Sequence, residues 1–158
     1  VPKIEIKTLI KADLKTCFDL ARSIDFHKES MSDFKERAVA GKTSGLIELG
    51  EWVTWEAKHF GVTQQLTSKI TAFESPTYFV DEMVSGAFKS FKHEHIFQIK
   101  NEQTLMIDKF HFVSPFGFMG KLANVLFLKQ YMHNLLQTRN QLLKHQAETM
   151  FYFERRNS

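Results

Sequence analysis

The chain is poor in the residues that interrupt or staple a fold: one Cys, three Pro and seven Gly in 158 residues. A single cysteine, Cys17, excludes an internal disulfide and with it a small cross-linked scaffold. Set in an apolar stretch, that thiol is expected to be buried and inert. No run of about 18 or more apolar residues occurs, which excludes a helical membrane span. The opening Val1-Pro2-Lys3-Ile4 lacks the charged start, apolar stretch and small-residue cleavage site of a secretory signal, so a cytoplasmic location is expected. An excess of one charge is also missing. Lys and Arg number 21 against 18 Asp and Glu, a net charge of +3, and the signs alternate, as in Glu5-Ile6-Lys7 and Lys35-Glu36-Arg37. Without a basic stripe interleaved with aromatics, no nucleic-acid partner is expected. Only 115–147 is one-sided, with Lys121, Lys129, Arg139 and Lys144 and no acidic residue. A solvated helix face accounts for it, and a weak contact with a membrane surface is the alternative.

What the chain has in abundance is Phe, sixteen residues or roughly one in ten. With 43% hydrophobic and 25% charged residues, this composition excludes disorder. The length suits one domain over residues 1–158 with its own core, ending in a tail from residue 150.

Periodicity divides the chain into three parts. Residues 3–10 alternate, with Ile4, Ile6, Thr8 and Ile10 on one face, which predicts a half-buried strand. Asp13 then suits an N-cap for a helix carrying Leu14, Cys17, Phe18 and Ala21, followed by a short helical segment to about Ser32 after a break near Asp25. From about 35 to 114, Gly41, Gly45, Gly50, Gly61, Pro76, Gly86 and Asn101-Glu102 punctuate about six strands. In one of them Val53, Trp55, Ala57 and His59 share a face; in another Phe91, His93, His95, Phe97 and Ile99 do. One wet face per strand points to an antiparallel sheet. The phase of 103–114 stays open between Leu105/Ile107/Val113 and Met106/Asp108/Phe110/Phe112. After Pro115, Gly117 and Gly120 a long helix is predicted over about 121–148. Its first half is apolar nearly all round and expected to be covered on all sides; its second half carries a stripe of Leu128, Met132, Leu135, Leu136, Leu142 and Leu143.

An α+β layout results: a strand, two short helices, a curved antiparallel sheet of about seven strands in all, and a long C-terminal helix. This order resembles the helix-grip fold of the START and birch-pollen-allergen superfamily, known as SRPBCC. Gly50-Glu51-Trp52-Val53-Thr54-Trp55, Phe79-Val80-Asp81-Glu82-Met83 and Phe91-Lys92-His93-Glu94-His95-Ile96-Phe97 are similar to small bacterial members of unassigned biochemistry. Met106-Ile107-Asp108, Phe112-Val113-Ser114-Pro115 and Gly117-Phe118-Met119-Gly120 add to the likeness. The resemblance implies a cavity for an apolar ligand between the sheet and the helix. Superfamily relatives include polyketide cyclases and coenzyme-Q-binding proteins, so it implies a pocket better than a reaction.

Few motifs carry chemistry. Gly41-Lys42-Thr43 looks like the end of a phosphate loop, but Glu36 stands where that motif needs Gly, and a hairpin turn fits better. His93-x-His95 is the sharpest feature, since residues two apart on a strand turn both imidazoles to one side. With His59, Asp81 or Asp108 as a third group they could ligate a metal, yet imidazoles hydrogen-bonded as polar anchors of an apolar pocket weigh more, and no metal or cofactor is expected. As acid or base, His93, His95 and Asp108 are the catalytic candidates, with no activated nucleophile beside them.

The expected partner is a hydrophobic or amphipathic small molecule, lipid-, polyketide- or quinone-like, and a non-catalytic binding role is favoured over a cyclase, dehydratase or hydrolase and over a protein- or membrane-interaction module. Trp55, His59, Phe79, Met83, His93 and His95 are expected to line its cavity, with Phe97 and Phe110 from the same sheet. Leu122, Leu126 and Met132 are expected to close it from the helix. The apolar Met150-Phe151-Tyr152-Phe153 is expected to pack back on the protein. The oligomeric state is not encoded in any of these features.

Overall fold

The computed structural model describes residues 2–114 and 121–157, with the side chains of the last helix described from residue 126 onward. Strand β1 (Lys3–Ile10) leads into helices α1 (Leu14–Ala21) and α2 (Ile24–Ser30), then a short 3₁₀ turn over Ser32–Phe34. Six further strands follow: β2 (Arg37–Gly41), β3 (Trp52–His59), β4 (Val62–Glu74), β5 (Tyr78–Ser85), β6 (Ser90–Lys100) and β7 (Gln103–Val113). Helix α3 (Lys121–Arg156) ends the chain. The strands form one antiparallel sheet of seven in the order β1-β7-β6-β5-β4-β3-β2. This is the helix-grip α+β architecture that the element order predicts.

Local sequence explains most boundaries. The Asp13 carboxylate accepts from the Thr16 amide and starts α1; the Ser23 hydroxyl accepts from Phe26 and starts α2, two residues before the expected break near Asp25. Register shifts between Ala38 and Ala40, between Thr67 and Ser68, and between Ile70 and Ala72 interrupt β2 and β4, and such bulges bend a sheet into a trough. Gly41, at φ +75°, sits where a Cβ would strike the Trp52 carbonyl, so the turn into β3 requires glycine. No Gly or Pro occurs between 121 and 156, and α3 accordingly runs through the tail that was expected to end it near 148.

Burial settles the open phase of β7: Met106, Asp108, Phe110 and Phe112 point inward. Three expectations are corrected. Ile99, on the inward phase of β6, is 73% exposed because it lies past the end of the sheet that α1 covers. Leu142 falls off the helix stripe, 44% exposed, because the stripe runs through Leu136, Arg139, Asn140, Leu143 and Ala147. Leu126 and Phe127 stand 59% and 56% exposed, so the start of α3 is not covered all round. Within the tail, Phe151 packs against the core while Tyr152 and Phe153 are exposed.

The Phe residues segregate into two groups. Phe18 of α1 meets Phe73, Phe79 and Phe97 edge-on at 5.4–5.5 Å, with the Arg22 guanidinium 5.5 Å above its ring. Phe88, Phe91, Phe110 and Phe112 form the second group near the β5–β6 turn. Edge-to-face contacts of this kind add to area burial. Cys17 is fully buried in the first group, and burial pushes its thiol up to about 11, as an inert thiol requires. Phe18→Ala should cost about 3–5 kcal/mol, read from urea unfolding at constant m-value.

Candidate functional site

A cavity of about 380 Å³ lies between the trough of the sheet and α3, with α2 at one side. Its walls are mainly apolar: Val53, Trp55 and Ala57 from β3, Ile70 from β4, Phe79, Phe91 and Phe110 from neighbouring strands, and Leu128, Met132 and Leu136 from α3. Polar groups converge at two places.

The first is built by register. Asp81 of β5 lies opposite His93 of β6, and His95 lies opposite Asp108 of β7. Strand alternation turns all four toward the helix. The hydrogen bonds nevertheless run diagonally: His93 Nε2 donates to Asp108 Oδ1 at 2.7 Å, and His95 Nε2 donates to Asp81 Oδ2 at 2.7 Å. The two imidazoles stack with centroids 3.8 Å apart, and Phe79 stacks on the far face of His95 at 4.1 Å. Helix α3 completes the set. Arg139 Nη2 donates to Asp108 Oδ1 at 2.8 Å, and Asn140 Nδ2 donates to Asp108 Oδ2 at 2.7 Å. Arg139 Nη2 also donates to Asn140 Oδ1, at 2.9 Å.

The electrostatics follow from this geometry. Asp108 is fully buried, which by itself raises a carboxyl pKa, but the Arg139 charge and the His93 hydrogen bond outweigh that and hold it well below the usual range. Burial also opposes the charge on Asp81, and again the hydrogen bond from His95, with the imidazoles and Arg139 close by, prevails, so its pKa is lowered. For His95, burial and the stacked His93 push the pKa down to about 4. At neutral pH His95 is therefore uncharged with its proton on Nε2, facing Asp81. Among the described residues its buried Nδ1 has no hydrogen-bond partner and lies 3.6 Å from Asp108 Oδ1. Asp81, 20% exposed at its side chain, opens toward the cavity. One ligand atom from each of Asp81, His93 and His95 falls within a 4.8 Å group, so these three could hold a metal ion.

The second polar place comprises His27 of α2 paired with Glu36, under the Trp55 ring at 4.4 Å, and His59 of β3 bonded through Nδ1 to the Tyr131 hydroxyl of α3 at 2.6 Å. Burial lowers the pKa of His59. Phe60 and Phe127, in ring contact at 5.6 Å and both exposed, form an aromatic rim beside Tyr131.

Of the expected lining, Trp55, His59, Phe79, His93, His95, Phe110 and Met132 border the cavity. Three residues do not. Phe97 is turned the same way as His95, but α1 covers that end of the sheet and Phe97 packs on Phe18 instead. Met83 packs in the second ring group, with its sulfur beside Gly86. Leu126 points to solvent, and the Leu122 side chain lies outside the described residues. Asp108 sits behind the imidazoles and has no face on the cavity. Arg139 corrects the expectation of a solvated basic face: it is buried and paired, while Lys144 bonds Glu148 at 3.0 Å. Arg139, Asn140, His27, Glu36 and Tyr131 were not anticipated. For Arg139-Asn140 a signal existed, since a polar pair interrupts the 136/143/147 apolar stripe of α3.

These pKa shifts make the fold acid-labile. His95, neutral when folded, protonates near 6.5 when unfolded, so its contribution is complete above about 6.5 and is lost as pH falls toward 4. Asp81 and Asp108 contribute above the ordinary carboxylate range and lose that contribution as pH falls through their lower folded values. Urea midpoints should therefore drop between about pH 7 and 4.5. His95→Gln, without a titrating ring, should flatten the dependence in that window.

Among the described residues no helix is long and apolar enough to cross a membrane. No family model matches the chain, and no curated protein matches it. Solved structures do. An aromatase/cyclase, ZhuI from Streptomyces, superposes with a TM-score of 0.75 at 9% identity, over 93% of both chains. The di-domain aromatase/cyclase StfQ of the steffimycin biosynthetic pathway gives 0.76 at 11% identity, covering 94% of this chain and 51% of its own. Major latex-like protein 151 from Panax ginseng gives 0.67 at 16% identity, covering 92% of this chain and 97% of its own. Such identities speak to architecture alone: the chain shares the helix-grip fold of these structures.

Proposed function

We propose that the protein binds a hydrophobic or amphipathic small molecule in the cavity between its sheet and α3. The observation that carries this reading is the combination of a mainly apolar-walled 380 Å³ space with two converging sets of polar groups on its wall. That volume is at the low end of the about 300–1,000 Å³ common for small-molecule sites, and the mixture of apolar wall and few convergent polar groups is theirs too. Trp55, Phe79, Phe91 and Phe110 supply contact area, at roughly 1.5–3 kcal/mol for each fully buried side-chain-sized group. Asp81, His93 and Arg139 at one end, and His27, His59 and Tyr131 at the other, orient polar groups of the ligand. A lipid, polyketide or quinone-like compound has this mixed character.

A second reading is enzymatic, favoured by the two His–Asp hydrogen bonds that meet the cavity beside Arg139. A neutral imidazole held in one tautomer by a carboxylate is the arrangement general acid–base catalysis uses. Two of the structural neighbours are described as aromatase/cyclases.

Native mass spectrometry of freshly purified protein should reveal a co-purified apolar compound, and an environment-sensitive fluorophore such as anilinonaphthalene sulfonate should bind saturably. Ala57→Phe, which fills part of the cavity, should weaken that binding by at least about tenfold while leaving the circular dichroism unchanged. Persistent emptiness with no ligand-induced rise in melting temperature would remove the carrier reading. Turnover of a bound compound that disappears in His93→Ala, with binding retained, would replace it by the enzymatic one.

A further inference from the structure

Among the described residues, the side chains around the imidazole pair leave an excess of carboxylate and an unpartnered ring nitrogen. Two carboxylates, Asp81 and Asp108, stand against one guanidinium, Arg139, in surroundings from which water is largely excluded. A bound cation would offset that excess of carboxylate. Among the described residues His95 Nδ1 is buried with no hydrogen-bond partner.

The arrangement around the pair has the parts of a metal centre. Asp81, His93 and His95 each present one ligand atom, all within 4.8 Å of one another. Opposed bonds of about 2.0–2.2 Å to one ion place ligand atoms up to about 4.4 Å apart, a span close to that of this set. Asp108 supplies the outer hydrogen bond that metal-ligating histidines usually have: it fixes the proton of His93 on Nε2 and so frees Nδ1. Arg139 and Asn140 in turn hold Asp108 in place. Toward the cavity the site is open, since Asp81, His93 and His95 all border it.

We propose that Asp81, His93 and His95 bind one divalent transition-metal ion, with the cavity side left to water or an anionic oxygen of a ligand. Two nitrogens and one carboxylate oxygen suit zinc, cobalt or ferrous iron and disfavour magnesium and calcium, which take oxygen sets. On binding, the ion takes the place of the proton between His95 Nε2 and Asp81, and the ring proton moves to Nδ1, where it faces Asp108 Oδ1 3.6 Å away. With the ion in place the local charge passes from −1 to +1 when both imidazoles are neutral, and a hydroxide or an anionic ligand head restores neutrality. The inference goes beyond apolar binding and does not depend on it, because the ion is titrated with the cavity otherwise empty.

The test uses tag-free protein freed of metal with a chelator, then titrated with Co²⁺ and with Zn²⁺. Visible ligand-field bands saturating at one equivalent of Co²⁺, abolished by Zn²⁺ and untouched by Mg²⁺, are expected. Asp81→Asn and His95→Gln should each weaken Co²⁺ binding by at least tenfold, whereas His145→Ala, at an exposed histidine of α3, should not. Because a core variant can misfold, the unaltered protein provides a second readout: in ¹⁵N-histidine NMR, Zn²⁺ should move the ring signals of His93 and His95 and leave those of His27 and His145. Absence of one-equivalent binding, binding unchanged in both variants, or Zn²⁺ shifts confined to other histidines would overturn the proposal. Metal failure with fluorophore binding intact would leave the carrier reading standing, and the reverse result would separate them equally well.

Discussion

A carboxylate with no exposed surface has to be met by donors on every side, and around Asp108 those donors come from both layers of the fold. His93 reaches it from the sheet; Arg139 and Asn140 reach it from the helix. Removing one partner of a buried charge costs far more than the pair itself contributes, so this contact tolerates little displacement. It fixes α3 in rotation and in height over the strands. Apolar packing of Leu136, Leu143 and Ala147 holds the same helix down, but such packing is non-directional and leaves sliding cheap. The cavity exists in its present shape because a polar clamp sets where the helix lies.

The same clamp divides the interior. On the side covered by α1, Phe18 enters the trough and Phe73, Phe79 and Phe97 pack edge-on against it. On the other side no helix of comparable fit descends into the sheet, and the space between β3, β4 and α3 stays open under an aromatic rim. An excess of Phe thus serves two ends: it makes a dense core at one end and a wide apolar wall at the other. Phe79 belongs to both, meeting Phe18 on one side and His95 on the other.

Most of the architecture was legible because strand alternation and caps are local signals. Val53, Trp55 and Ala57, and Phe91, His93 and His95, announce their inward faces in the sequence. The succession of strands followed from turn residues, and the start of the long helix from Pro115, Gly117 and Gly120 before it. Less legible was whatever depended on which element covers which part of the sheet. Phe97 and Ile99 share the phase of His95, yet α1 buries one in the core and nothing covers the other. Arg139 was misplaced on a solvated face because no acidic neighbour lies near it in sequence, whereas its partner is 31 residues away on β7. The polar place at His27, Glu36, His59 and Tyr131 joins four separate segments, and no local pattern marks it.

The crossing of the two His–Asp bonds also bears on how the sheet assembles. Side chains alternate with a period of two, so a slip of one residue between β5 and β6, or between β6 and β7, would turn an imidazole away from its carboxylate and leave a charge in the apolar layer. A slip of two would restore the facing but move Asp108 away from Arg139 and Asn140. Only one alignment of the three strands and the helix satisfies both bonds and the clamp together. The polar cluster therefore acts as a registration mark for the central strands, selecting one pairing from several that the Phe-rich faces, being interchangeable in chemistry, would accept.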